Sequence, residues 1–194
     1  MVLKRAFCVR MLIILCLLPL CACSSEADTA LTTIEGFYTT LEAFSARVCA
    51  QVQLSDRVQD YILDWEYSHG SYSVTIAEPE ALEGIRISGS EDAGLTLEYD
   101  AVTLAVDATG NVISPLEALC EILLDWRGSV PDEYCFEQCQ DRNALAVSFS
   151  HERSGTVFSQ RAWFDTDSCA PLYVEAYCDG AMVAGFEFLL FQLQ

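Results

Sequence analysis

From Ala46 onward the chain is written mostly in period two, in short segments joined by very short turns. Ala46, Val48, Ala50, Val52 and Leu54 alternate with polar Arg47, Gln51 and Gln53, the pattern of a strand with one apolar face. Tyr61, Leu63, Trp65 and Tyr67 repeat it opposite Asp60, Asp64 and Glu66. His69-Gly70 then turns the chain into a third strand carrying Tyr72, Val74 and Ile76, which Pro79 ends. Ile85 and Ile87 mark a fourth strand, Leu95, Leu97 and Tyr99 a fifth after a loop over Ser90 to Gly94, and Val102, Leu104 and Val106 a sixth. Further strands are expected at about 133–139, around Leu145, Val147 and Phe149, at about 156–165, and at 171–178 and 181–192. Asp179-Gly180 joins the last two as a two-residue hairpin.

Two segments break this rhythm. Leu31, Ile34, Tyr38, Leu41 and Phe44 recur at helical spacing over about 29–44. Asp107 to Asn111 is turn chemistry, and Ser114-Pro115-Leu116-Glu117 then reads as a helix start: a capping serine, proline at the first position and a glutamate reaching back. That second helix, over 114–127, carries Leu116, Leu119, Leu123 and Trp126 on one stripe and ends near Gly128. The order is one helix, six strands, one helix, five strands. The short connections make successive strands antiparallel neighbours. The class is α+β, mainly β: a strongly curved antiparallel sheet of about 11 strands with two helices burying their stripes on its concave face.

The N-terminus has a different character. Lys4, Arg5 and Arg10 precede an apolar run from Met11 to Ala22 that is too short to span a bilayer. It closes on Leu20-Cys21-Ala22-Cys23, which resembles a bacterial lipobox. Residues 1–22 are therefore expected to be an export signal, with Cys23 acylated as the first mature residue, 23–28 a polar tether and 29–194 the folded domain. Two acyl chains suffice for stable anchoring, where one is marginal. Ser24 after that cysteine resembles the residue type that permits sorting onward to an outer membrane, if the cell has one.

Charge removes a class of partner. Only seven basic residues, none of them lysine, follow residue 22, against 29 acidic ones, a formal charge of −22. Such a surface repels phosphate backbones, so nucleic acid is excluded, and it repels anionic headgroups, so membrane attachment must come from the acyl chains. Six cysteines also follow Cys23: Cys49, Cys120, Cys135, Cys139, Cys169 and Cys178. Disulfides and buried free thiols both remain open. Cys135 and Cys139, about 13 Å apart on a straight strand, do not pair with each other.

Catalytic chemistry has no constellation behind it. His69 reads as a turn residue and His151 as part of a loop over Ser150 to Arg153; no nucleophile elbow, zinc helix or phosphate loop is present. No enzyme activity, cofactor or metal is expected. Asp60, Asp64 and Glu66 read as a solvated face, and Asp165 and Asp167 flank a turn where a weak cation contact is the alternative.

The order of elements resembles the LolA/LolB family of lipoprotein carriers and their Gram-positive anchored relatives, including germination-type lipoproteins that support another protein. Ser71 to Ser88, with Pro79 at the turn, resembles the family's strand, proline turn and strand. Ala93 to Tyr99 is similar to its "DGK-x-L-W-x-Y" strand through Leu95, Leu97 and Tyr99. Asp107 to Leu119 resembles the loop and proline-capped helix, and Pro171 to Gly180 the late strand and turn. The resemblance implies an unclosed β-barrel, helices forming a lid over an apolar cavity, and binding of acyl chains without catalysis. The soluble carriers place a lid-holding arginine just before the turn proline; here that residue is Glu78.

The inner apolar surface is thus the candidate ligand site, formed by Tyr61, Leu63, Trp65, Tyr72, Val74, Ile76, Ile85, Ile87, Leu95 and Leu97, with Leu116, Leu119, Leu123 and Trp126 as the lid. An acyl chain, a lipoprotein or another apolar ligand would fit it. The same residues would equally serve as packed core, and an anchored interaction module for an envelope or spore-cortex enzyme is the alternative function. The last strand poses a problem of its own. Strict alternation points Phe186, Phe188 and Leu190 one way and Leu189, Phe191 and Leu193 the other, so both faces need cover.

Overall fold

The computed structural model describes residues 26–54, 56–90, 93–100, 102–106, 115–153 and 155–194. The expected signal segment, Cys23, Ser55 of the expected turn, the turn expected over Asp107 to Asn111 and the expected cap Ser114 lie outside the described residues. Helix α1 covers 26–40. Strands β1 (Ala43–Gln53), β2 (Val58–Ser68), β3 (Ser71–Glu78), β4 (Arg86–Ser90), β5 (Ala93–Tyr99) and β6 (Val102–Val106) follow, with a 3-10 turn at Glu80–Leu82 before β4. Helix α2 (Pro115–Gly128) precedes β7 (Glu133–Cys139), β8 (Arg142–Arg153), β9 (Thr156–Asp165), β10 (Pro171–Cys178) and β11 (Ala181–Leu193).

All 11 strands form one sheet in the order β6-β5-β4-β3-β2-β1-β11-β10-β9-β8-β7, and every adjacent pair is antiparallel. Chain neighbours are sheet neighbours at every step but one. β1 pairs with β11, sealing the first strand against the last, and β6 and β7 lie at opposite edges with α2 between them in sequence. The sheet is thus an unclosed half-barrel with the helices on one face.

Hairpin chemistry explains the tight connections. His69 and Gly70 have φ of 47° and 82°, and Asp179 and Gly180 have 49° and 79°, the left-handed pair that matches strand twist. Gln140 and Asp141 adopt the same pair at 50° and 61° without a glycine. The β9–β10 turn is built on Asp165, whose Oδ1 accepts Ser168 N (2.9 Å), Ser168 Oγ (2.8 Å) and Asp167 N (3.1 Å). The carboxylate is occupied by its own turn. These donors, Ser168's backbone amide first, hold the Asp165 carboxyl below its usual range. A depressed carboxyl stabilises the fold above the unfolded-state pKa, and that contribution is lost as pH falls through the folded value. Asp165→Asn is therefore expected to cost about 1 kcal/mol at pH 7 and almost nothing near pH 2. Urea unfolding at both pH values checks this.

Three elements differ from their sequence reading. Helix α1 occupies 26–40 rather than 29–44, so Ala27 is a buried helical residue inside the stretch read as tether. Leu41 and Phe44 fit helical spacing, but β1 begins at Ala43 and turns Phe44 into the core, where it is fully buried. The last strand contains a bulge opposite Arg47/Val48: Arg47 pairs with Leu190 and Val48 with Phe188, leaving Leu189 as the extra residue. A bulge shifts the alternation by one. Phe186, Phe188 and Phe191 consequently share the inner face, and only Leu189 and Leu190 point outward, both about half exposed. The apparent need to cover two faces disappears. Finally, β8 runs on through Arg153, so His151 is a strand residue opposite Phe158 and not a loop histidine.

Candidate functional site

The concave face has two parts with different packing. Cross-strand partners in an antiparallel sheet lie on the same side, which defines one apolar row across seven strands: Phe191, Ala46, Trp65, Val74, Ile87, Leu97 and Leu104. Along it burial falls away. Trp65 and Val74 are fully buried and Ile87 is 2% exposed, Leu97 is half-buried, and Leu104 is 57% exposed.

Aromatic rings fill the closed part. Trp126 of α2 lies 5.0 Å from Tyr38, 5.0 Å from Phe164, 6.1 Å from Trp65 and 6.2 Å from Phe188, ring centre to ring centre. Phe44 meets Trp65 edge-on at 5.0 Å. These are the separations of rings in direct contact. All four stripe residues, Leu116, Leu119, Leu123 and Trp126, are buried, and so are Ala118, Cys120, Ile122 and Asp125 on other sides of α2. The helix is sunk into the half-barrel as a plug.

Polar bonds fix it there. Trp126 Nε1 donates to Gln160 Oε1 (3.0 Å), and Gln160 Nε2 donates to Asp125 Oδ2 (2.7 Å). Arg127 Nη1 donates to the carbonyls of Tyr38 (2.9 Å) and Leu41 (3.0 Å), and its guanidinium lies 4.8 Å over the Tyr67 ring. One arginine therefore joins α2, the end of α1 and the sheet. Sequence reading missed it because its partners are backbone carbonyls, which carry no signal in side-chain pattern. Glu78, at the position where the resemblance calls for an arginine, is exposed at the end of β3.

The ten cavity candidates divide along the same gradient. Leu63, Trp65, Tyr72, Val74, Ile76 and Ile87 belong to the core. Tyr61, Ile85, Leu95 and Leu97 are partly buried and pack against its margin. Beyond them the inner face continues as an open shelf: Tyr99 is 47%, Val102 55% and Leu104 57% exposed. Register puts Tyr99 beside Val102 and Leu97 beside Leu104, so the four residues form one patch. The sequence marked them as strand residues; their exposure depends on where α2 stops covering the sheet.

Cys49, Cys120, Cys135, Cys139 and Cys169 are free thiols. Cys120 is buried on α2 and Cys169 under α1, where its carbonyl accepts Tyr38 Oη at 3.0 Å. Burial pushes both thiols up, that of Cys120 most strongly, so they behave as small apolar residues. Cys135 and Cys139 both lie on β7. No group of three or more acidic, histidine or cysteine side chains among the described residues is arranged to hold a metal ion. Among the described residues no helix is long and apolar enough to cross a membrane.

No protein-family model matches the chain, and no curated protein matches it in sequence. Solved structures match it in fold. An uncharacterized conserved protein from Thermus thermophilus superposes over 87% of this chain and 88% of its own, with a TM-score of 0.55 at 11% identity. A DUF1329 family protein from Desulfovibrio piger covers 88% of this chain and 92% of its own, with a TM-score of 0.50 at 8% identity. A putative outer membrane lipoprotein-sorting protein domain from Vibrio parahaemolyticus covers 87% and 91%, with a TM-score of 0.48 at 9% identity. At such identities the first two show a likeness of fold alone. That fold, an unclosed half-barrel with helices on its concave face, is the one the LolA/LolB resemblance implied.

Proposed function

We propose that this chain is an extracytoplasmic lipoprotein, held to the bacterial cell membrane by acylation at Cys23, that binds an acyl chain or similar apolar ligand without catalysis. One observation carries the reading. The apolar row of the concave face runs out of the filled core onto the open surface of Leu97, Tyr99, Val102 and Leu104, and contiguous exposed apolar surface of this kind marks binding sites. Capture takes place on that shelf, beside the inserted helix. Each methylene laid against it contributes up to about 0.8 kcal/mol, so a chain of medium length reaches useful affinity. A formal charge of −22 after residue 22 disfavours anionic membrane surfaces as the docking target.

Native mass spectrometry of the chain from residue 24 onward, which lacks its own lipid, tests the reading. Retention of a fatty acid or lipopeptide from a panel is expected; a chain that stays empty against the whole panel contradicts it. The anchored interaction module is the second reading, favoured by the two edge strands, β6 and β7, that the open sheet leaves at its ends. A stoichiometric protein partner recovered from the native membrane, with no lipid, would select that reading.

A further inference from the structure

A second polar cluster, outside the shelf, joins α2 to the far wing of the sheet. Its centre is Asp125, 4% exposed. Gln160 Nε2 on β9 donates to Oδ2 at 2.7 Å, and Ser129 Oγ donates to Oδ1 at 2.8 Å. His151 on β8 approaches from the solvent side. Its Nδ1 lies 3.3 Å from Asp125 Oδ1, and its Nε2 lies 3.7 Å from Glu121 Oε2. The imidazole packs on Phe158 at 5.3 Å and keeps about a third of its surface in water. Nδ1 is itself buried, with no well-aligned hydrogen bond.

We infer that His151 is a pH-sensitive tie between α2 and the sheet. Glu121 and Asp125 stand four residues apart on one helix face, where like charges oppose each other. An imidazolium between them places a positive charge within 3.7 Å of both carboxylates, an attraction with ion-pair and not hydrogen-bond geometry. A neutral imidazole carries only one proton, so one nitrogen then turns a lone pair toward a carboxylate oxygen. Histidine is the side chain whose ordinary titration falls between pH 5 and 8. The other groups close by do not oppose this sign. Asp132, in the segment before β7, accepts Ser150 Oγ at 2.6 Å beside the histidine, Glu152 follows it on β8, and β9 contributes uncharged Phe158 and Gln160. The tie is therefore closed at low pH and loosened as pH rises, and α2 opens more readily on the neutral side. The tie is a property of the helix and does not depend on a ligand.

Amide hydrogen exchange across residues 119–126, measured at pH 5.5 and 7.5 and corrected for intrinsic exchange, tests it without ligand. The opening equilibrium is expected to rise about threefold at the higher pH, the change that a partly exposed ion pair carries. His151→Gln is expected to abolish the dependence, and His69→Gln to leave it intact. Glu121→Gln, which removes only the outer arm and spares the buried Asp125, is expected to reduce it to below about twofold. A native protein with no pH dependence, or a dependence that survives undiminished in H151Q or E121Q, overturns the inference.

Discussion

Replacing Trp126 with alanine is expected to lower the free energy of unfolding by about 3–5 kcal/mol. The indole is 4% exposed and touches Tyr38, Phe164, Trp65 and Phe188. Those four rings come from α1, β9, β2 and β11, so no single neighbour can move in to close the space. The truncation also strands Gln160 Oε1, which accepts the indole N–H at 3.0 Å. Trp126→Phe separates the two contributions. It keeps most of the volume and loses the hydrogen bond, and about 1–2 kcal/mol is expected from that unpaired acceptor. Denaturant unfolding with an unchanged slope measures both. A loss below about 1 kcal/mol for the alanine variant would mean that α2 rests loosely on the sheet, which is the behaviour of a lid and contradicts the plug described above.

Placing lysine at both Leu97 and Leu104 is expected to weaken acyl-chain binding by about a hundredfold while leaving the core intact. The factor corresponds to about 2.8 kcal/mol, or the contacts of three to four methylenes. Leu104 is 57% exposed and Leu97 lies at the core margin, so stability is expected to fall by no more than about 1–2 kcal/mol. Two ammonium groups on the shelf would either be dehydrated by a bound hydrocarbon or hold it away. The control puts lysine at Leu189 and Leu190, which are about half exposed and face outward at the bulge. That pair is expected to leave affinity unchanged. Titration of a fluorescent fatty acid compares the three proteins, and equal loss in both pairs would show that the effect is only one of net charge.

Much of the fold was readable because its signals are local. Period two with one apolar face identifies each strand, and His69-Gly70 and Asp179-Gly180 are turn dipeptides that fix the hairpins. The pairing of β1 with β11 has no such signal. It joins Phe44 to Leu193 across almost the whole domain and follows only from the sheet's need to bury an inner edge. The bulge at Leu189 was hidden for a related reason: an inserted residue looks like a strand with two apolar faces until its partner is known. Phe44 satisfied helical and strand spacing at once, so its fate was settled by where β1 pairs. His151 looked like a loop residue because a polar side chain interrupted the inner-face series Leu145, Val147, Phe149, yet the strand simply continued beneath α2.

The candidate site was legible as a face but not as a pocket. The ten residues chosen for the ligand all belong to the inner side or its margin, and pattern alone does not tell core from cavity lining. That distinction is set by the depth to which α2 descends, fixed by Arg127 and by the Trp126–Gln160–Asp125 bonds. Each of those contacts joins residues more than 30 positions apart. Tyr99, Val102 and Leu104 became part of the site only when the helix left them uncovered.

Photo-cross-linking locates the ligand most directly. A fatty acid carrying a diazirine near its terminus is added to the chain from residue 24 onward, irradiated, and mapped by peptide mass spectrometry. Labelling concentrated on Leu95 to Leu104, competed by unlabelled fatty acid, is the expected result. Labelling of Trp126, Phe164 or their neighbours beneath α2, or no competed labelling anywhere, would contradict the account of an open shelf beside a filled core.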